Sequence, residues 1–270
     1  MYLKNNQTNI FLTKDKVLNG IPVLFLHGFT GSSQSWKHIR KDMSCSSFAI
    51  DIPGHGKSTF NNINKEYNYK DFRAELYLIL QTLNLKKIHL CGYSMGGRIA
   101  ISFAQKYPEL IESLILESSS LGIVNAEDKD NQLSVDCKIS EKINNSLESF
   151  IDEWSLMDLF KHQKYRSEEN YQSQKLIRLS HKKEQLAKSL LSFSKGSMPA
   201  FQESFNLFDF PIFLINGHDD TKYIKLNRDM MKINKSCKQF IIDKASHNTH
   251  LENSDMFTDI LNNSILTKYS

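Results

Sequence analysis

The 270-residue chain is 40% hydrophobic and 24% charged, ordinary values for a globular protein able to bury one sizeable core. Its net charge of +4 is mild and dispersed, which suits a small anionic partner and argues against nucleic acid. No stretch approaches the roughly 18 apolar residues of a membrane span. Residues 1–6 lack a signal-peptide core, and the four scattered cysteines form no C-x-x-C pair. A cytoplasmic protein with reduced thiols is expected, acting as a monomer or small homo-oligomer.

Six short, nearly all-apolar runs read as strands buried on both faces: 22–26, 47–51, 88–91, 113–117, 211–216 and 239–242. Between 71 and 83, Phe72, Leu76, Ile79, Leu80 and Leu83 fall on one helical face. A second helix is expected over 97–107, stopped by Pro108. From about 121 to 205 no strand signal appears, and Leu156, Leu159, Phe160, Leu176, Leu186 and Leu190 recur at helical spacing. The pattern predicts an α/β fold: a mostly parallel central sheet flanked by helices, one domain over 1–270, with a helical cap inserted at about 121–205.

The run Gly92-Tyr93-Ser94-Met95-Gly96 closes the third apolar stretch and opens a helix. A serine between two glycines in a strand–turn–helix context reads as a nucleophile elbow, a turn so tight that the flanking positions cannot carry side chains. A serine hydroxyl needs a proton acceptor, normally a histidine held by a carboxylate, and in this fold class the chain order is serine, acid, histidine. Gly217-His218-Asp219-Asp220 follows one strand and Ala245-Ser246-His247-Asn248 another, so His247 is the expected base and either Asp219 or Asp220 its partner. His218 and His250 are lesser candidates for the base, and His89, inside a strand, is expected to be structural. Two backbone N–H groups should form an oxyanion hole, one from Met95 and one from Phe29 in the loop after the first apolar strand. The 51–58 loop reads as scaffold for the floor of the site. No histidine pair has metal-ligand spacing and no G-x-G-x-x-G follows a strand, so neither metal nor other cofactor is expected.

With these residues assembled, the chain resembles the α/β-hydrolase superfamily over almost its full length. The strings LHGFTGSSQSW (26–36), DIPGHGKS (51–58), GYSMGGR (92–98) and SHNTHLEN (246–253) resemble one branch of it, the 2-succinyl-6-hydroxy-2,4-cyclohexadiene-1-carboxylate synthases of menaquinone and phylloquinone biosynthesis. That resemblance implies a lyase on a hydrolase fold: the triad acts as a base, a ring proton is removed and pyruvate is eliminated without an acyl-enzyme. It selects Asp220 as the acid and implies substrate-binding roles for Tyr93, Arg98, Trp154 and Arg178. A fork-shaped cation beside the serine suits a polycarboxylate substrate, and plain esterases have no need of Arg98.

The chain departs from the branch at 125–132, where lysine and glutamine stand in place of expected arginines, so Lys129 is the candidate replacement for a substrate-clamping arginine. Ser246 and Leu251 also replace a usual glycine and arginine. The alternative reading is a serine hydrolase of small esters or of carbon–carbon bonds. A third is a catalytically inactive fold kept as a binding module.

Overall fold

Five parallel ladders join the six apolar runs into one sheet. The computed structural model describes residues 1–15, 20–160 and 162–266. Its strands are β1 (Tyr2–Lys4), β2 (Thr8–Lys14), β3 (Val23–Leu26), β4 (Ser47–Ile50), β5 (Thr59–Phe60), β6 (Ile88–Tyr93), β7 (Ile111–Glu117), β8 (Ile212–Gly217) and β9 (Cys237–Ile242). Among the described residues the spatial order is β1-β2-β4-β3-β6-β7-β8-β9, with β5 on the side of β2. The run from β4 through β9 is parallel, and β1, β2 and β5 are antiparallel additions at one edge. Those three strands are absent from the sequence expectation. β2 buries only alternate residues, Thr8, Ile10 and Leu12, so it does not read as an all-apolar run.

Because strand side chains alternate, the sheet feeds two apolar layers. Leu24, Leu26, Leu90, Leu114 and Leu116 meet Phe72, Leu76, Ile99 and Phe103 on one face. Val23, Phe25, Cys91, Ile115 and Ile215 meet Trp36, Ile39 and Phe257 on the other. The helices of the first layer are α2 (Tyr69–Thr82) and α3 (Met95–Lys106), and α1 (Lys37–Lys41) lies on the second. Asn68 caps α2 in a reciprocal box with Asp71.

Between β7 and β8 run α4 (Ala126–Asn145), α5 (Leu147–Ser155), α6 (Gln163–Arg166), α7 (Glu168–Leu179), α8 (Lys183–Phe193) and α9 (Gln202–Asn206). Leu186 and Leu190 of α8 pack on Ile143, Phe150 and Ile151 in a third apolar cluster. Leu156 and Leu176 do not join it: they are 80% and 71% exposed, because α5 ends at Ser155 and Leu176 lies on the outer face of α7. The chain finishes with α10 (Thr221–Ile233), α11 (Thr249–Glu252) and α12 (Ser254–Asp259). Among the described residues no helix is long and apolar enough to cross a membrane, and Cys45, Cys91, Cys137 and Cys237 are free thiols.

Backbone packing is tight where β6 turns into α3. A Cβ on Gly92 would sit 2.5 Å from the Gly96 carbonyl oxygen, and one on Gly96 would sit 2.3 Å from that of Leu26. Backbone on both sides leaves nothing free to yield. Gly92→Ala is therefore expected to destabilise the fold by about 3 kcal/mol, the upper end for overpacking, read as a lowered urea midpoint at unchanged m.

Candidate active site

The β6–α3 turn presents Ser94 at φ 50°, ψ −105°, outside the helical and extended regions, with its N–H bound to the Glu117 carbonyl and its own carbonyl accepting from Ser119 Oγ at 3.0 Å. A non-glycine residue held in this way is strained, and the surrounding ladder supplies the restraint. His247, in the loop after β9, brings Nε2 to 3.3 Å from Ser94 Oγ. Its Nδ1 lies 2.8 Å from Asp220 Oδ2, and both side chains are buried. Asp220 is fixed in turn: it is the N-cap of α10, with Oδ1 accepting from Tyr223 N–H. The competing acid, Asp219, turns away to Arg166 and His218.

The N–H groups of Phe29 and Met95 make no hydrogen bond among the described residues, and Met95 opens α3, where an N–H has no helical partner. Gly28 lets this loop close on the nucleophile, since a Cβ there would meet the Tyr93 ring at 2.6 Å. Behind the loop, Asp51 accepts from the N–H groups of Ser33 (2.6 Å) and Lys57 (2.8 Å), which anchors the floor.

An aromatic cluster and two buried arginines surround the triad. The Trp154 ring stands 5.5 Å from Phe29 and 5.6 Å from Phe160, and Phe160 lies 6.0 Å from His247. Arg178, only 2% exposed, lies over Phe160 at 5.2 Å and donates to Ser155 Oγ at 3.0 Å, while its Nε has no partner. Burial brings Arg178 down to about 10, with Tyr93 opposing the shift. Tyr93 itself is raised well above its ordinary value by burial, reinforced by Glu117. Arg98 is 5% exposed and donates to the Phe193 carbonyl at 3.1 Å, and its Nε is likewise unpartnered. Neither arginine forms an ion pair among the described residues. Lys129 sits half-buried in the first turn of α4, on the same helical face as Gln132 and Asp136.

Sequence reasoning gave no role to Glu117 and only a minor one to His250. Glu117 closes β7 and takes His250 Nδ1 at 2.6 Å, His250 N–H at 3.0 Å and Thr249 Oγ1 at 2.6 Å, a second buried histidine–carboxylate pair beneath Tyr93. An acid at the end of an otherwise apolar strand was the available signal. His89 is satisfied by Ser113 Oγ at 2.7 Å.

The sequence model of the alpha/beta hydrolase fold matches residues 21–254, and the chain belongs to that family. Within it, the chain is 34% identical over 241 residues to a Bacillus subtilis protein provisionally named 2-succinyl-6-hydroxy-2,4-cyclohexadiene-1-carboxylate synthase, with 88% of each chain covered. It is 28% identical over 247 residues to the Salmonella arizonae protein of that name, covering 90% of this chain and 93% of the relative. The structure of MenH from S. aureus superposes with a TM-score of 0.87 at 27% identity, covering 93% of this chain and 96% of that one.

Three further histidines tie the site to the helices above it. His27 accepts from Ile52 N–H (2.9 Å) and donates to the Gly28 carbonyl (2.7 Å). His55 accepts from Thr30 N–H (3.2 Å) and contacts Ser189 of α8 (3.2 Å). His181 accepts from Gly56 N–H (3.0 Å) and donates to the Thr30 carbonyl (3.0 Å). Each ring must be neutral to accept, and burial lowers His27 and His181 from 6.5 to about 4 and His55 well below 6.5. The unfolded chain therefore binds protons first. The stabilisation is complete above about pH 6.5 and is lost as pH falls toward 4, on the order of 3 kcal/mol for each fully titrated histidine. Urea unfolding at pH 7, 5.5 and 4.5 should show this fall, and His181→Gln should be less stable at pH 7 with a shallower decline; a wild-type stability flat across the range would refute it.

Proposed function

We propose that the protein eliminates pyruvate from 2-succinyl-5-enolpyruvyl-6-hydroxy-3-cyclohexene-1-carboxylate to give 2-succinyl-6-hydroxy-2,4-cyclohexadiene-1-carboxylate. The observation that carries this reading is a serine–histidine–aspartate hydrogen-bond chain flanked by two buried guanidinium groups, Arg98 and Arg178, with no carboxylate of their own. A buried cation without a counter-ion is costly unless a ligand supplies the charge. The substrate carries three carboxylates. A neutral ester carries none, so the arrangement favours the lyase over the esterase reading.

In this proposal His247 takes the Ser94 proton and Ser94 removes the ring proton at C2, next to the succinyl carbonyl. The C2–H electrons form C2=C3, the old C3=C4 pair moves to C4=C5, and the C5–O bond breaks, releasing enolpyruvate. Enolpyruvate takes up one proton and becomes pyruvate, so atoms and charge balance. Negative charge develops on the succinyl oxygen, and the N–H groups of Phe29 and Met95 are the donors assigned to it. Asp220 holds the tautomer of His247. Tyr93, Arg98, Trp154 and Arg178 bind substrate, with Lys129 at the outer end of the inward face of α4. The chain acts as one domain, with 121–205 as a cap over the triad, on a small anionic substrate in the cytoplasm.

Pyruvate release, coupled to NADH oxidation and corrected for spontaneous elimination, tests the assignment. Ser94→Ala is expected to lower the rate by about 10³-fold, and Asp220→Asn by a similar factor, with both variants folded. Arg178→Ala should raise KM for this substrate at least tenfold while leaving turnover of nitrophenyl acetate nearly unchanged. A release rate that survives Ser94→Ala would remove the proposal.

A further inference from the structure

The Arg98 guanidinium does not stand alone. It donates to the Phe193 carbonyl at the end of α8, and the chain then turns through 194–198, fixed by bonds from Ser197 N–H to Ser194 Oγ and from Met198 N–H to the Ser194 carbonyl, both 3.1 Å. Gly196 lies so close to α4 that a Cβ would meet Leu133 Cγ at 2.8 Å, which sets the turn against the stretch bearing Gln132 and Asp136. Half-buried Lys195 therefore stands in the turn between the carbonyl that Arg98 holds and the glycine that meets α4, where the charges of Arg98, Asp136 and Lys222 all act on it. Next to Lys222, Tyr223 packs its ring 4.5 Å from His247, so the group is continuous with the triad.

Resting on the reading above, we infer that Lys195 and Arg98 together bind one substrate carboxylate, forming an anion pole on the Tyr223 side of Ser94. Three cations, Arg98, Lys195 and Lys222, face one acid, Asp136, and none of the cations makes an ion pair among the described residues. The buried Arg98 Nε and Asp136 Oδ2 have no partner, and Asp136 Oδ1 is taken by Gln132 at 2.9 Å. The surplus is positive, and Arg98 stands one helical turn from the nucleophile, its N–H on the Ser94 carbonyl at 3.3 Å. Burial, with Arg98 and Lys222 adding to it and Asp136 opposing, brings Lys195 down to about 8, the response of an ammonium whose surroundings lack negative charge. With Arg178 as a separate buried cation beside Phe160 and Tyr93, a substrate bearing several carboxylates meets more than one positive group around Ser94. Lys195 adds its charge to the one that the sequence led us to expect from Lys129.

Steady-state pyruvate release by Lys195→Gln and Lys195→Arg tests this, with thermal melts to establish folding. Lys195→Gln should raise KM about ten- to a hundredfold with kcat within about threefold, the loss of one charge-assisted contact. Lys195→Arg should restore most of it. In the wild type KM should rise above about pH 8 as Lys195 loses its proton, and in Lys195→Arg that rise should vanish. A merely structural lysine would move neither the pH profile nor its rescue. KM unchanged in Lys195→Gln, while wild-type release depends on Ser94, overturns this inference and leaves the lyase reading intact. If the wild type shows no Ser94-dependent release, the lyase reading falls. The preference for nitrophenyl hydrogen succinate over nitrophenyl acetate then decides: its loss in Lys195→Gln supports the anion pole, and its retention overturns it.

Discussion

Two backbone segments that approach with no room for a Cβ determine where the chemistry can occur. At Gly92 and Gly96 the chain of β6 and α3 is pressed against itself and against the end of β3. Ser94 has no relaxed conformation available and projects from the turn at positive φ. The same contact sets the first turn of α3 against the end of β3 and the start of the loop that follows it. The backbone strain, of order 1–3 kcal/mol at such a residue, is borne by two apolar layers that do not otherwise take part.

The charges buried around this point follow a consistent division. The nearby acids are satisfied from within: Asp220 by His247 and an N-cap bond, Glu117 by His250 and Thr249, Asp51 by two backbone N–H groups. The arginines nearest the nucleophile are not. Arg40, far from the site, shows the contrast, with Asp15 at 2.8 Å. A site whose triad and floor acids are completed internally, while two guanidiniums are left open, is arranged to receive negative charge from outside. Shape alone would not separate this site from that of an ester hydrolase. The charge does.

How much of this was legible from residues follows from the range of the interactions. The elbow, five buried strands and the loops bearing Asp220 and His247 are written in short stretches that could be read where they stood, whereas β9, read as buried on both faces, is an edge strand that buries only Ile242. The edge strands escaped because β2 alternates polar and apolar residues on a half-covered face. Leu156 and Leu176 keep helical spacing yet stay exposed, because that spacing says nothing about which face another element will cover. The placement of Lys195 depends on a contact between the end of α8 and a side chain of α3, two elements separated by most of the inserted helices. No local pattern announces it. The choice between Asp219 and Asp220 needed the direction of a single turn, which the N-cap of α10 sets.

Arg166 of α6 reaches from the inserted helices to two acids at once: Glu252, which also accepts from the N–H and hydroxyl of Ser246 beside His247, and Asp219, the neighbour of the triad acid. One guanidinium therefore joins the helices between β7 and β8 to the loop bearing the triad acid and, through Glu252, to the loop bearing the base. The alignment of the imidazole is thus moored to the inserted helices as well as to the sheet.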